Sequence, residues 1–303
     1  MKFAFFDVDS CLRETTHHGD TDLPVAVYLQ QLDKNKEGFL ILHWHEEVQF
    51  VLCQQGDILY TVSEQAYYLS PGDILFINSR CLHMAKPISA TSGSYICIDI
   101  HPRFLSGYSN SLIDRIYVAP VLASKDFSAL LIDGSAPWHD QVKQLLKQLV
   151  TTFESKNYAY ELQILGLFIQ VWTILLENEK GRFDSTISVN PAEQARMDRV
   201  LTFIQEHYME DLTLKDFARE LAVSESECCR IFRRNLGISP FTYLNNLRIV
   251  KSTTLLTKTD MSMTEISHQV GFNSGSYYSS RFKKTMNCSP LDYRKRHIKK
   301  TRT

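Results

Sequence analysis

The chain has no Cys-x-x-Cys pair, no apolar run long enough to cross a bilayer, and almost no excess charge of either sign. Its seven cysteines, Cys11, Cys53, Cys81, Cys97, Cys228, Cys229 and Cys288, are odd in number and sit mostly in apolar stretches. This pattern argues against a disulfide framework and fits reduced thiols in a cytoplasmic protein. Adjacent Cys228 and Cys229 have no further Cys or His at ligand spacing nearby, so packing is favoured there over a zinc or redox pair. The opening MKFAFFDVDS carries one Lys, but Asp7 and Asp9 cut it short of a signal-peptide core, so export is not expected. The longest apolar run, ILGLFIQVWTILL from Ile164 to Leu176, falls short of the roughly 20 residues a spanning helix needs. It reads as a buried or dimer-facing helix, and no membrane partner is expected.

What is present is sorted along the chain. With 303 residues and 44% hydrophobic content, the length suits two globular domains. The formal net charge of −1 conceals a division. Residues 1–190 hold 14 Lys and Arg against 22 Asp and Glu, a net −8, whereas residues 191–303 hold 19 against 12, a net +7. The basic part lies at the C-terminus.

From about residue 25 to 100 the stretches VQFVL, DILYTV, AYYL, DILFI and SYICIDI recur at short spacing, separated by QQGD and SPGD turns. Several short strands in succession predict a small β-barrel or sandwich. Val142, Leu145, Leu146 and Leu149, then Leu162, Leu165, Phe168, Ile169 and Trp172, fall at helical spacing and predict two amphipathic helices, over 138–155 and about 159–179. The stretch GRFDSTISVNPAE at 181–193 loses periodicity and collects Gly, Ser, Asn and Pro, as a linker does.

Beyond it the sequence repeats. FRRNLGISPFTY from Phe232 and FKKTMNCSPLDY from Phe282 agree at Phe, at two basic residues and at Ser-Pro followed by Tyr, at one constant offset. Upstream, the stripe Leu214, Phe217, Ala218, Leu221 returns as Met263, Ile266, Ser267, Val270. Each copy continues through a short turn into a second helix, with Ser224 and Ser274 placed to cap it. Helix, turn and capped helix, twice, is a double helix-turn-helix plan. Between the copies, Ser239 and Pro240 open a spacer helix to about Thr257, about 27 Å long at 1.5 Å per residue. That is near the ~34 Å between successive major-groove faces of a duplex.

The segment LTLKDFARELAVSESECCRIFRRNLGISPFTYLNNLRI, followed by MTEISHQVGFNSGSYYSSRFKKTMNCSPLDYR, resembles the AraC/XylS family of transcription regulators over about residues 195–297. Departures are mild: Ser252 and Ser267 replace the usual Ala, Cys228 the usual Leu and Asn287 the usual Gly. The resemblance implies base-facing positions at Ser226, Cys229 and Arg230 in the first unit and at Gly275, Ser276, Ser279 and Ser280 in the second. Arg230 is the strongest candidate for base readout, because a guanidinium can engage guanine O6 and N7 together. Arg233, Arg234, Arg281, Lys283 and Lys284 are suited to phosphate contacts, which position without specifying.

The N-terminal half is similar, more loosely, to the cupin-type sensor domains of this family. HWHEEVQF from His43 and SPGDILFINSRCLHM, which includes His83, resemble the two short cupin motifs. Strand alternation is expected to put His43, His45, Glu47 and Gln49 on one face, with His83 brought close. Metal-binding cupins use two His, a Glu and a third His; here Gln49 holds the Glu position. Three readings stay open: a polar pocket for an organic effector, which leads, a metal site, and a hydrogen-bonded structural cluster.

The expected architecture is multidomain: an all-β cupin-like sensor (1–135), a helical dimerisation segment (136–180), a linker (181–193) and an all-α double helix-turn-helix domain (194–303). The resemblance implies a regulator, not an enzyme, binding double-stranded DNA and a small-molecule effector, a sugar among the candidates. It also implies a homodimer, contact with RNA polymerase, and no cofactor. A different class is a metal-dependent cupin enzyme with a DNA-tethering C-terminal domain, which would bind metal through His43, His45 and His83.

Overall fold

In the computed structural model the described residues are 8–9, 11–35, 38–88, 93–108, 111–124, 127–183, 191–286 and 288–300, so the readings made at Asp7 and Asn287 fall outside them. The chain divides into two compact units, one built mainly from residues 13–190 and the other mainly from 191–303.

The described residues of the first unit form nine strands: β1 (Val25–Gln31), β2 (Leu40–His43), β3 (Val48–Gln55), β4 (Ile58–Val62), β5 (Gln65–Leu69), β6 (Ile74–Ile77), β7 (His83–Pro87), β8 (Ser94–Ile100) and β9 (Ala129–Ile132). They make two antiparallel sheets, ordered β1-β8-β3-β6-β9 and β2-β7-β4-β5. Side-chain alternation divides strand β3 between two cores. Val48, Phe50 and Leu52 pack into one cluster with α3 (His139–Ser155) and α4 (Tyr160–Asn178), and two short helices, α1 (Arg103–Ser106) and α2 (Ala119–Ala123), precede that pair. Val51 and Cys53 pack into the other cluster, with Ile58, Tyr60 and Val62 of the second sheet. A strand buried on both faces explains why VQFVLC reads as a continuous apolar run.

Among the described residues, α4 is the one helix long and apolar enough to cross a membrane by length and composition. It extends the 13-residue run read from sequence to 19 residues, but Ile164, Phe168, Val171, Trp172 and Leu175 are buried in the core. Each such side chain contributes roughly 1.5–3 kcal/mol on burial. The stripe expected on this helix splits. Phe168 and Trp172 face the core, whereas Leu162 and Ile169 are exposed.

The second unit is helical: α5 (Pro191–His207), α6 (Leu214–Leu221), α7 (Glu225–Leu236), α8 (Pro240–Lys258), α9 (Met263–Gln269), α10 (Gly275–Met286) and α11 (Pro290–Lys300). Helix α5 begins at Pro191, so the last three residues of the expected linker are already helical; 184–190 lie outside the described residues. Helix starts follow the capping chemistry legible in the sequence. Thr213 with Asp216 and Ser262 with Glu265 form capping boxes. Ser224, Ser239, Ser274 and Ser289 each accept a hydrogen bond from the backbone N–H three residues on, at 3.1–3.3 Å. In the second turn, Gly271 has φ +90°, and a Cβ there would lie 2.8 Å from the Tyr208 carbonyl. Only glycine fits both demands.

The spacer helix α8 carries a buried polar frame. Arg248 donates through Nε to the Tyr208 carbonyl (2.6 Å) and through Nη2 to the Glu210 carbonyl (2.7 Å), with its guanidinium over the Phe272 ring. Ser252 is fully buried, accepts from the Tyr278 hydroxyl at 3.1 Å and donates to the Ile249 carbonyl at 2.7 Å. A hydroxyl in place of the usual alanine is therefore satisfied there.

Candidate DNA interface and effector site

Both second helices turn an apolar side inward. Cys228, Ile231 and Phe232 anchor α7, and Tyr278 and Phe282 anchor α10. The opposite sides carry the residues singled out from sequence. On α7, Ser226, Arg230 and Arg233 are exposed, and Cys229 and Arg234 are half-buried. The Arg230 side chain is 61% exposed, and its Nη2 pairs with Glu227 Oε2 at 2.8 Å. An exposed pair of this kind contributes little to stability, so the guanidinium is easily released to another acceptor. On α10, Ser276, Ser280, Lys283 and Lys284 are exposed, and Gly275, Ser279 and Arg281 are half-buried. Arg281 reaches back to Asn246 Oδ1 of α8 at 3.5 Å, so it takes part in packing. Sequence reading did not single out Tyr277, an exposed aromatic on the same helix whose hydroxyl accepts from Asn245 Nδ2 at 3.2 Å. The signal available was a Tyr-Tyr pair in which only one member fits the buried face.

In the first unit the strand expectation needs correction. Strand β2 ends at His43 and β3 begins at Val48, so His45 and Glu47 lie in the intervening loop, not on one strand with Gln49. A polar clamp bends the chain there. Arg80 binds Glu46 through Nε and Nη2 at 2.8 and 2.7 Å, and Arg13 and Arg80 both lie over the buried Trp44 ring. The three histidines converge all the same. One donor nitrogen from each of His43, His45 and His83 lies within 4.8 Å of the others, and all three side chains are buried.

The arm before β1 adds groups that no spacing argument reached. The Glu14 N–H donates to the Trp44 carbonyl at 2.9 Å. That bond places the Glu14 carboxylate 3.1 Å from His18 Nε2 and 3.7 Å from His43 Nε2. His18 Nδ1 lies 3.2 Å from Asp99 Oδ2, and Gln49 Nε2 donates to Asp99 Oδ1 at 2.9 Å. The strand register pairs Gln49 directly with Asp99 across β3 and β8, which puts both on the inner face.

Charge is unevenly distributed in this cluster. Burial opposes a charge on His18, but the Asp99 and Glu14 carboxylates hold it protonated and push it up to about 11. Burial alone would raise Asp99; His18 instead holds it well below the usual carboxylate range. Burial raises Glu14 despite His18, and pushes Glu47 up to about 6. Burial takes His83 down to about 4, and burial together with His83 takes His43 and His45 well below the ordinary imidazole value. Burial therefore favours the neutral form of the three converging rings.

Beside the cluster is a cavity of about 540 Å³, lined among others by Arg13, Glu14, His18, His45, Glu47 and Arg103. Of the residues expected to bind an effector, His45 and Glu47 line it. His43 and Gln49 line a separate small void within the unit.

A chain with a cavity-bearing β-unit and a paired helix-turn-helix unit has the construction of a ligand-responsive DNA-binding regulator. Residues 24–171 match the AraC-like ligand binding domain and residues 217–296 match a helix-turn-helix domain. The uncharacterized HTH-type transcriptional regulator YdeC of Bacillus subtilis (strain 168) is 36% identical, over 96% of this chain and 98% of its own. The HTH-type transcriptional activator RhaS of Enterobacter sp. (strain 638) is 25% identical over 83% of this chain and 86% of its own. Among solved structures, ToxT from Vibrio cholerae strain SCE256 covers 89% of this chain and 94% of its own at 19% identity, with a TM-score of 0.46, a likeness too loose to speak to function. The chain belongs to the AraC/XylS family of transcription regulators.

Proposed function

We propose that this regulator is a cytoplasmic homodimer that activates transcription by contacting RNA polymerase beside its binding site, in response to a small molecule held in the β-unit. The observation that carries the DNA part is the repeated presentation of polar and basic side chains on α7 and α10, opposite buried anchors. Arg230 reads a base; Arg233, Arg234, Lys283 and Lys284 hold phosphates, with Arg281 contributing at the edge. Ser226, Cys229, Gly275, Ser276, Ser279 and Ser280 line the groove face, where small side chains permit close approach. The description of RhaS as an activator supports the sign of the response.

The effector occupies the 540 Å³ cavity, a volume ordinary for a small-molecule site. Its walls offer acids, arginines and histidines, which suits a polyhydroxylated molecule such as a sugar. His45 and Glu47 contact it directly, and His43, Gln49 and His83 stand behind them. The effector shifts the regulator only by binding one arrangement more tightly than the other. Exposed Leu162 and Ile169 on α4 support pairing through the 136–180 segment.

Fluorescence anisotropy of the full-length protein on DNA from upstream of its own and neighbouring genes tests this, against scrambled DNA over a salt series. One segment is expected to bind tightly, with affinity falling steeply as salt rises. In vitro transcription from that segment is expected to increase with the regulator and effector present. Equal binding to all DNAs with and without candidate effectors would overturn the reading, and a decrease in transcript would overturn the activator assignment.

A further inference from the structure

Apolar side chains left in water gather at one place on the β-unit. Among the described residues, five of the fourteen exposed large hydrophobic side chains fall within ten residues of chain. Tyr108, Leu112, Ile113, Ile116 and Tyr117 are each 45–75% exposed. They belong to the connection between α1 and α2, whose last residues, Asp114–Val118, form a π-helical turn. Side chains four apart share a helix face, so Leu112 with Ile116 and Ile113 with Tyr117 make one ridge. The backbone beneath that ridge is fixed. The Ser111 hydroxyl, itself buried, accepts from the Asp114 N–H at 3.0 Å and donates to the Ser106 carbonyl at 2.8 Å. The indole N–H of Trp172 on α4 donates to the Tyr117 carbonyl at 2.9 Å. Val118, Ala119 and Val121 fill the buried side, so the larger apolar groups are held outward. Together the five expose roughly 500 Å² of mostly apolar surface, near the upper end of what a monomer leaves in one patch.

The patch continues onto α4. Ile169 stands one turn before Trp172, and Leu162 lies two turns before Ile169 on the same stripe, on the Trp172 side of the helix; both are exposed. The other flank of α4 meets α3 across a groove walled mainly by glutamines and threonines, among them Gln148, Thr152, Gln163 and Gln170. An apolar and aromatic patch suits the centre of an interface, and a polar groove suits its rim. With Leu162 and Ile169 the patch reaches roughly 700 Å², close to the ~800 Å² that each partner buries in an interface of standard size. Its charge narrows the choice of partner. Residues 108–117 hold one acid, Asp114, and one base, Arg115. A membrane surface or a nucleic acid would call for an excess of cations. A second copy calls for no excess, because charge of one sign would meet itself across a two-fold axis, whereas an adjacent acid and base can pair crosswise.

We propose that residues 108–117, together with Leu162 and Ile169 of α4, are the surface through which two copies of the chain pair in one isologous contact. Such pairing presupposes the homodimer proposed above, and most of the interface then lies outside 136–180. Sedimentation velocity of the full-length protein, from about 0.1 to about 100 µM, tests this. Wild type is expected to sediment as a dimer in the micromolar range. The Ile113→Arg/Ile116→Arg double variant is expected to be monomeric, its dissociation constant raised about a hundredfold or more because each change counts twice across the axis. Ile116→Ala, too small a change on an exposed side chain to unfold the unit, should raise it about tenfold. Tyr68→Arg on β5 and Gln148→Arg in the α3/α4 groove should leave the dimer intact. Circular dichroism and urea unfolding of all variants should match wild type. A wild-type dimer that survives both the double variant and Ile116→Ala would overturn this surface and leave the homodimer standing. A dimer split by Gln148→Arg alone would place the contact in the groove and overturn it as well. A wild type that stays monomeric over the whole range would overturn the surface and the homodimer together.

Discussion

The two helix-turn-helix units share a scaffold and differ in chemistry. Phe232 and Phe282 occupy repeated positions, both fully buried, and the Ser-Pro starts of α8 and α11 are repeated as well. Yet α7 has Arg230 where α10 has Ser280, and α10 opens on Gly275 and serines, while the basic pairs Arg233–Arg234 and Lys283–Lys284 stand at equivalent positions. The packing residues recur because both copies solve the same burial problem. The exposed residues diverge because nothing in the fold constrains them, which leaves them to be set by the DNA. On this account the first unit reads and the second holds.

The largest effect expected is one that the two units share. Phe232→Ala and Phe282→Ala should each destabilise the DNA-binding unit by about 3–5 kcal/mol in urea unfolding. Losses that differed greatly would mean that the scaffolds are not equivalent. Next, Arg230→Ala should cost about 1–3 kcal/mol on the cognate DNA and relax one base position. Anisotropy on single-base variants of the operator measures this, and unchanged specificity would remove the reading role from α7. Replacing Lys283 and Lys284 by Ala should weaken binding uniformly across sequences and lower the salt slope by about one for each phosphate no longer neutralised. A base-specific loss instead would transfer reading to α10. The smallest effect is structural. Tyr278→Phe removes the bond to Ser252, at a position where the first unit has Cys228, and should cost about 1 kcal/mol, with no change in specificity.

How much could be seen in the sequence follows the same contrast. The DNA-binding unit was legible because its signals are local: helical stripes and serine caps. What escaped there was the role of Arg248, since a charged residue in the spacer reads as solvated until Tyr208, Glu210 and Phe272 are brought around it. In the β-unit β3, β4, β5, β6 and β8 were legible as apolar runs between turn signals, whereas β1, β2, β7 and β9 were not singled out, although β1 is as long as β8 and β6 as short as β2 and β9. The three histidines could be grouped from two short motifs. Glu14, His18 and Asp99 could not, because their contacts join an irregular arm to β8 across more than 80 residues of chain. One hint was present. Asp99 shares the inner-face parity of Tyr95 and Cys97, and a carboxylate at a buried position must have a partner.

The most direct test of the division between reading and holding is a single anisotropy matrix. Wild type, Arg230→Ala and the Lys283→Ala/Lys284→Ala double variant are each titrated against the operator and every single-base substitution of it. Wild type is predicted to show a penalty of about tenfold or more at one position that vanishes in Arg230→Ala. The lysine variant is predicted to keep every penalty while all its affinities fall together. A position-specific loss in the lysine variant, with the Arg230→Ala profile unchanged in shape, would contradict the division of labour between the two helices.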